Sequence, residues 1–202
     1  MYDLHAHLDR EFEPGTNVLL SGPPLTGKRR LGLDVLAEGT REGDGAIVVT
    51  TKDSATRVLE EYGERVDYDR RPVGVVDCVT RQQGGETTDS DRVKYTSSPV
   101  DLTGIGIKLS DFLQDFYEVR GIEQNRVFVH SLTTLLIYSD LQTVFRFLHV
   151  FTGRLQSVDS LGLFTIDETA HDAQTLITLK QLFDAVVRFE EDADPAVQFA
   201  RE

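Results

Sequence analysis

Short apolar runs alternate along this chain with segments in which apolar residues recur at helical spacing. The runs are rich in aliphatic and β-branched residues and end in turn residues, which is typical of buried strands; they cover residues 18–21, 45–51, 73–80, 125–132, 161–167 and 185–190. The amphipathic segments between them predict helices at residues 28–38, 53–63, 107–121, 133–155 and 173–183. Continuous apolar strands separated by helices favour an α/β fold, with a mostly parallel sheet covered by helices on both faces.

Three stretches fall outside this alternation. Residues 1–14 are polar and mixed in charge, and residues 192–202 form a short polar tail. Residues 81–99 are rich in Gly, Ser, Thr and Asp and predict a long exposed loop, a kind of segment that is often functional. Because the chain has 202 residues, a single domain spanning residues 1–202 is expected.

Residues 21–30 read SGPPLTGKRR and nearly match the phosphate-binding loop G-x-x-x-x-G-K-[ST]. Gly22, Gly27 and Lys28 stand where the pattern requires them, and the loop joins a predicted strand to a predicted helix, as it should. In such a loop the backbone N–H groups and the helix N-terminus bind phosphate oxygens, while the lysine reaches the outer phosphates. The predicted nucleotide-binding residues are therefore Gly22, Pro23, Pro24, Leu25, Thr26, Gly27, Lys28 and Arg29.

The residues that would hold Mg²⁺ are replaced at two separate positions. A serine or threonine hydroxyl normally follows the lysine and ligates the metal, but Arg29 follows it here, and a guanidinium group only donates hydrogen bonds. The second ligand is normally an aspartate at the end of a later apolar strand, where this chain has His130. Imidazole is a poor ligand for a hard, oxygen-seeking cation. The sequence thus predicts no metal site and no catalytic residue.

Two interpretations of Arg29 stay open. In one, its guanidinium group takes the place of Mg²⁺ and pairs with a phosphate oxygen, a geometry that suits arginine well. The chain would then bind ATP or ADP without the metal. In the other, Arg29 pairs with an acidic neighbour or turns to solvent, and the pocket binds no nucleotide.

Composition narrows the classes of partner. The formal net charge of -13 argues against nucleic-acid binding, which needs a basic face. Many acids, few lysines and no tryptophan suggest a halophilic cytoplasm, the alternative being an ordinary acidic protein.

Cys78 lies in an apolar run and is expected to be buried. No apolar run is long enough to span a membrane, so we expect a cytoplasmic protein without membrane insertion.

Three further segments resemble the KaiC-like branch of the RecA superfamily, which is widespread in archaea. They are FEPGTNVLL before the SGPPLTGK loop, GDGAIVVTT at the second strand, and NRVFVHSLTTLL, which is similar to the family's apolar strand followed by Asp-Ser-Leu-Ser. The resemblance covers roughly residues 10–190. It implies a RecA-like P-loop NTPase fold. With the halophile-like composition, the chain is similar to haloarchaeal KaiC-like proteins implicated in signal transduction, some of them inactivated.

The chain departs from that family where hydrolysis takes place. In KaiC-like ATPases the second strand leads into a pair of glutamates, one of which activates water; Thr51 and Lys52 stand there in this chain, and no carboxylate comes before Asp53. Active members also carry basic residues on a C-terminal hairpin that reach a neighbour's nucleotide, whereas Arg188 is the one basic residue in this chain's last apolar strand. The resemblance therefore implies a degenerate Walker A loop and a pseudo-ATPase.

These observations favour a regulatory or signalling domain that acts through a protein partner or within a homo-oligomer, with nucleotide bound but not efficiently hydrolysed. A slow ATPase, completed by a partner chain, is the main alternative. A recombination accessory protein that binds DNA is a third, and the acidic charge speaks against it.

The sequence raises a metal-site hypothesis for one pair of histidines and a core or interface hypothesis for a third histidine. The pair His5 and His7 resembles the metal-binding start of amidohydrolase-like enzymes, but no apolar strand precedes it, as such sites require. We therefore expect a polar segment that packs on the domain or on a partner. His149 lies in the apolar pattern of a predicted helix and is expected in the core or at an interface.

Three polar residues lie at the end of the fifth predicted strand, where open α/β sheets bind ligands: Asp167, Glu168 and His171. In one interpretation they face the pocket. In the favoured one they belong to an ordinary loop with helix-capping acids.

Overall fold

The computed structural model describes residues 1–191 and 193–199. The strands of this part of the chain are β1 (Tyr2–Asp3), β2 (Glu11–Phe12), β3 (Asn17–Gly22), β4 (Gly45–Thr50), β5 (Val73–Asp77), β6 (Val93–Tyr95), β7 (Asn125–His130), β8 (Leu161–Asp167), β9 (Ala185–Arg188) and β10 (Ala196–Phe199). Its helices are α1 (His5–Leu8), α2 (Lys28–Glu42), α3 (Ala55–Gly63), α4 (Leu102–Glu118), α5 (Leu132–Tyr138), α6 (Leu141–Ser157) and α7 (Ala173–Lys180). Within the same residues, no helix has both the length and the apolar character needed to cross a bilayer.

The main sheet has the spatial strand order β10-β9-β3-β8-β7-β4-β5-β6. Neighbouring strands run parallel except β10, which is antiparallel to β9 at one edge. Helices α2 and α3 cover one face together with the β1–β2 ribbon, and α4 to α7 cover the other. The predicted fold class, α/β with a mostly parallel sheet and helices on both faces, is confirmed.

The first 14 residues pack on the domain through their few apolar side chains. Tyr2, Leu4 and Phe12 are buried in the core on the α2 side of the sheet. The Tyr2 hydroxyl donates a hydrogen bond to the Asp159 carbonyl at 2.7 Å and accepts one from the Asn125 N–H at 3.2 Å. The segment is therefore tied to the amino-terminal edge of the main sheet, far from the carboxyl ends of the strands.

Helix α2 continues past the glycine at which the sequence predicts its end. Gly39 lies inside the helix, and the helix ends before Gly43, whose φ of 102° favours glycine. A Cβ at Gly39 would overlap the side chain of Arg126. Arg126 is only 1% exposed and donates to Asp44 at 2.8 Å, so Gly39 makes room for a buried ion pair and does not stop the helix.

The single long helix predicted at residues 133–155 is wrong. The chain forms α5 and α6 instead, because the backbone is extended at Ser139 and Asp140. Asp140 caps the N-terminus of α6 and accepts a hydrogen bond from the Thr143 N–H at 2.9 Å. Apolar residues recur at helical spacing across the break, so the sequence pattern alone does not reveal where α5 ends and α6 begins.

Two edge strands lie in segments that the sequence assigns to irregular structure. The predicted loop at residues 81–99 contains β6, which pairs with β5, and the predicted polar tail contains β10, which pairs with β9. Edge strands are short and only partly buried, so they lack a continuous apolar run. The rest of the predicted tail, Asp192 and residues 200–202, lies outside the described residues.

Two predictions about single residues have different outcomes. Cys78 is fully buried as expected, and burial raises the pKa of its thiol to about 12. His149 is exposed on α6 and does not lie in the core. Its place at an interface stays a prediction.

Alanine normally stabilises a helix interior relative to glycine by about 0.5–1 kcal/mol, but at Gly39 the added methyl group would overlap Arg126. We expect Gly39→Ala to lower the free energy of unfolding by about 1–3 kcal/mol, measured by urea denaturation. Gly153→Ala, at a position in α6 where a methyl group meets nothing within 4 Å, should raise it by up to about 1 kcal/mol. Equal stabilisation by both substitutions would show that Arg126 moves aside freely.

Candidate nucleotide-binding site

The carboxyl ends of β3, β4, β7 and β8 meet at one edge of the sheet. The register places Gly22 on β3 opposite Asp167 on β8, and Thr50 on β4 opposite His130 on β7. Open α/β sheets bind ligands at such an edge. A cleft of about 530 Å³ opens here and is lined by Pro24, Leu25, Gly27, Lys28, Arg29, Arg30, Lys52, Asp53, Arg57, Glu61, His130 and Asp167.

Two glycines give the loop between β3 and α2 its shape. A Cβ at Gly22 would overlap the carbonyl of Phe189, and Gly27 has a φ of 94°, in the left-handed region. The Thr26 hydroxyl donates to the Pro23 carbonyl at 2.8 Å and closes the loop. No side chain caps the first turn of α2, which leaves its N–H groups available to an anion.

The side chain of Lys28, the lysine of the phosphate-binding loop, is buried, and its ammonium group contacts two carbonyl oxygens and one carboxylate. Lys28 is 5% exposed, and its ammonium group donates to the Gly22 carbonyl at 2.8 Å and also contacts the Pro23 carbonyl. It forms an ion pair with Asp167 at 3.0 Å. Asp167 therefore faces the cleft, and the favoured sequence interpretation of an ordinary loop is wrong for this residue.

Arg29 lines the same cleft and lies between two carboxylates. Its Nε is 3.4 Å from Asp53, and its Nη1 contacts Glu61. Asp53 also pairs with Arg57 at 3.1 Å. In this structure Arg29 pairs with acidic neighbours, which is the arrangement that the second of the two interpretations describes.

His130 ends β7, at the position where the P-loop pattern expects an aspartate, and it is uncharged at neutral pH. Its Nδ1 lies 2.9 Å from the Thr165 hydroxyl, and its ring stacks on Phe128 with 5.8 Å between centroids. Burial and the nearby Arg29 guanidinium lower the pKa of His130 to about 4. The side chain thus supplies no negative charge that would hold a divalent cation.

Thr51 and Lys52 stand where the resemblance to KaiC-like ATPases expects two glutamates, and neither residue carries a carboxylate. Thr51 is buried, and its hydroxyl donates to the Ser131 carbonyl at 2.9 Å and accepts from the Ser131 N–H at 2.8 Å. Lys52 is exposed at the rim of the cleft. Asp53, the first carboxylate after the strand, pairs with arginines. Thr51 therefore holds β4 to the residue after β7 and offers no general base.

The cleft is locally positive in an acidic protein. Its lining carries five basic side chains (Lys28, Arg29, Arg30, Lys52 and Arg57) and three acidic ones (Asp53, Glu61 and Asp167). Each of these three carboxylates pairs with a basic side chain of the lining. A neighbouring depression, which shares Pro24 and Leu25 with the cleft, is lined instead by the acidic residues Glu190, Glu191 and Asp194.

The other two residues after β8 turn away from the cleft. Partial burial opposes ionisation of Glu168, but hydrogen bonds from Ser21, at 2.5 Å, and Lys180, at 3.1 Å, lower its pKa overall. Nε2 of His171 lies 3.2 Å from the Thr133 hydroxyl, and burial lowers the pKa of His171. Neither side chain belongs to the cleft lining among the described residues.

Asp77 supports the site although the sequence analysis does not single it out. It ends β5, is fully buried, and accepts hydrogen bonds from the N–H groups of Val79, Thr80 and Ala55 at 2.7–2.8 Å and from the Thr80 hydroxyl at 2.6 Å. Because Ala55 begins α3, this carboxylate fixes the turn that presents Asp53. A lone aspartate in an otherwise apolar strand is the signal that could have found it.

Among the described residues, no group of three or more His, Cys, Asp or Glu side chains is placed to hold a metal ion. His7 pairs with Glu38 on α2 at 3.0 Å. His5, its partner in the proposed metal-binding pair, lies outside the described side chains.

Residues 15–189 match the profile of a family that carries the description "Family of unknown function (DUF7504)". The chain belongs to the DUF7504 family. It is also 32% identical over 125 residues to UPF0273 protein PAE3143 from Pyrobaculum aerophilum. That alignment covers 59% of this chain and 42% of the relative, so the DUF7504 chain spans less than half of that protein.

Three solved structures from Pyrococcus horikoshii share the fold of this DUF7504 domain. Uncharacterized protein PH0321, in complex with an unknown peptide, has a TM-score of 0.69 at 12% identity, over 92% of this chain and 81% of that one. KaiC-like protein PH0186 has a TM-score of 0.65 at 13% identity, over 98% and 85%. PH0250 has a TM-score of 0.58 at 13% identity, over 95% and 89%. At these identities the likeness shows the KaiC-like, RecA-type fold alone, and that prediction is confirmed.

The low pKa of His130 predicts a pH dependence of stability. The pKa is about 6.5 in the unfolded chain and about 4 in the folded one, so the unfolded state binds more protons between these values and stability falls as pH drops through this window. We expect the free energy of unfolding to fall by about 1 kcal/mol more between pH 7.5 and 5.5 for the wild type than for His130→Gln, measured by urea denaturation. An equal loss in both proteins would mean that His130 titrates normally in the folded state.

Proposed function

We propose that this DUF7504 domain is a regulatory P-loop module that binds ATP or ADP without efficient hydrolysis and acts through contacts with other proteins. The observation that carries the proposal is the cleft at the end of β3: a glycine-shaped loop, an uncapped helix start and a surplus of basic side chains, in a chain with a net charge of -13. A polyphosphate is the ligand that such a combination suits.

The Lys28–Asp167 ion pair supports phosphate binding. An ammonium group in a P-loop meets the outer phosphates of a nucleotide, and here a carboxylate oxygen lies 3.0 Å from it. A phosphate oxygen has the same charge sign and hydrogen-bonding role as this carboxylate oxygen, so it can replace Asp167 as the partner of Lys28. The nucleotide then enters without leaving a buried ammonium group unpaired.

Arg29 replaces the metal in this proposal. Its present partner Glu61 also lies 3.6 Å from Arg65, so Arg29 can exchange Glu61 for a phosphate oxygen while Glu61 keeps a cation. Asp53 keeps Arg57 in the same way. A guanidinium fork pairs well with phosphate, and binding would not need Mg²⁺.

Slow turnover follows from the same residues. His130 is neutral, Thr51 is buried in a backbone contact, and Asp53 and Glu61 each keep an arginine when Arg29 turns to a phosphate oxygen. None of these four side chains combines a free negative charge with a place for a metal ion or an attacking water. Nucleotide would then be a structural or signalling ligand, in keeping with the inactivated KaiC-like proteins that the sequence resembles.

One observation outside the cleft supports the regulatory part of the proposal. The structural neighbour PH0321 was crystallised in complex with an unknown peptide, and action through a protein partner or a homo-oligomer fits this. The acidic composition is a separate matter and supports an origin in a halophilic archaeon.

The nucleotide site is tested by thermal unfolding in high salt with ATP or ADP, each with Mg²⁺ and with EDTA. At a ligand concentration of ten times Kd we expect the midpoint to rise by about 3–6 °C, equally with the metal and without it. Lys28→Ala and Arg29→Ala should abolish the shift. Arg41→Ala, in the last turn of the same helix and outside the cleft lining, should keep it.

Two outcomes contradict parts of the proposal. No shift under any condition would show that the loop no longer binds nucleotide. A shift that needs Mg²⁺, or that survives Arg29→Ala, would keep the nucleotide but remove Arg29 as the substitute for the metal.

Asp167 favours slow hydrolysis as a second candidate function, because it is a carboxylate in the cleft beside the P-loop lysine. If a bound phosphate takes over Lys28, Asp167 is released and can orient a water. Phosphate release from ATP that Asp167→Asn lowers at least about tenfold, with the nucleotide-induced midpoint shift unchanged, would support an ATPase. Release at the level of a blank in the wild type, alone and with added partner proteins, would exclude it.

A further inference from the structure

An apolar groove lies between α4 and α6, on the face of the sheet away from α2. Its volume is about 710 Å³, and it shares no lining residue with the nucleotide cleft. Ile107 on α4 is 54% exposed and Val150 on α6 is 71% exposed, although both line the groove. Phe147, on α6, is half-buried and also lines the groove. Large aliphatic side chains are usually exposed singly on a protein surface, whereas two of them are exposed at this one groove.

Gly106 on α4 is a second observation at the same place. It lies in the groove lining, and a Cβ there would meet nothing within 4 Å. Glycine weakens the interior of a helix relative to alanine, and no contact within the described residues requires it here. A glycine at this position is explained if another chain comes close to the backbone of α4.

The charged side chains of the groove lining that have no ion-pair partner among the described residues are arginines. Arg146 and Arg154 lie on α6 one turn before and one turn after Val150, line the groove, and are exposed. Among the described residues their side chains have no hydrogen-bond or ion-pair partner. Across the groove, Asp111 lies 3.9 Å from Lys94 and is the one acid of the lining. Two unpaired arginines about 12 Å apart beside apolar surface suit a ligand that carries acids at two-turn spacing.

We propose that the α4–α6 groove binds an amphipathic helix of a partner protein, whose apolar side chains cover Ile107 and Val150 and whose acidic side chains pair with Arg146 and Arg154. A groove between two helices accepts a third helix, and anchors at i, i+4 and i+7 suit such a groove. A second copy docked on the same face would bring the arginines of two α6 helices together, which like-charge repulsion opposes. Because the two sites share no residue, helix binding does not depend on an occupied P-loop.

The probe is a labelled synthetic helix of about 18 residues with leucines at i, i+4, i+7 and i+11 and glutamates beside them. Its control carries lysines in place of the glutamates. In fluorescence anisotropy titrations, at the lowest salt in which the domain stays folded, we expect the glutamate peptide to bind at least about tenfold more tightly than the lysine peptide. A domain that carries both Arg146→Glu and Arg154→Glu should reverse this preference.

Two glycine-to-alanine variants distinguish an effect on peptide binding in the groove from an effect on helix stability. Gly106→Ala and Gly153→Ala should each raise the thermal midpoint by about 2 °C, because both added methyl groups point into open space. Gly106→Ala should also weaken peptide binding about fivefold or more, since its methyl group lies in the groove. Gly153 is not part of the lining, so Gly153→Ala should leave binding unchanged.

Three outcomes would overturn the proposal. One is equal binding of both peptides by the wild type, and another is undiminished binding by Gly106→Ala. The third is self-association of the domain in sedimentation velocity that the double Arg→Glu variant abolishes, which would make the groove an interface between copies of this chain. Circular dichroism of each variant shows whether it is folded, so loss of binding is not mistaken for unfolding.

Discussion

The parallel pairing of β3 with β8 puts Gly22 opposite Asp167, and the nucleotide cleft depends on this register. It brings the P-loop lysine within 3.0 Å of a carboxylate from a distant part of the chain. A slip of one residue would turn Asp167 to the other face of the sheet and leave Lys28 buried without its ion pair. Both strands are buried along almost their whole length, so apolar burial fixes the register firmly.

Around this pair, basic side chains outnumber acidic ones in the cleft lining, and no group of three or more His, Cys, Asp or Glu side chains among the described residues is placed to hold a metal ion. Arg29 puts a fixed positive charge beside the P-loop, and His130 is neutral where an aspartate would oppose that charge. Two substitutions that look like independent losses are thus compatible with each other. An aspartate at position 130 would add negative charge to a cleft whose lining carries a surplus of basic side chains.

The two faces of the sheet carry different surfaces. On the α2–α3 side, charged residues form a chain of ion pairs that runs from Arg29 through Glu61 and Arg65 to Asp34. On the α4–α6 side, apolar residues lie open beside arginines without partners among the described residues. The α4–α6 groove and the cleft at the sheet edge share no lining residue, so a ligand in one need not contact the residues of the other.

The sequence by itself determines the buried strands, the P-loop and the place of His130 at a strand end, because apolar runs and turn glycines are local signals. It does not determine that Lys28 meets Asp167, since parallel pairing joins residues far apart in the chain. The edge strands β6 and β10 and the position of Gly39 inside α2 were also decided only in three dimensions. Their cause is non-local: an edge strand needs a neighbour to pair with, and Gly39 needs the buried side chain of Arg126 above it.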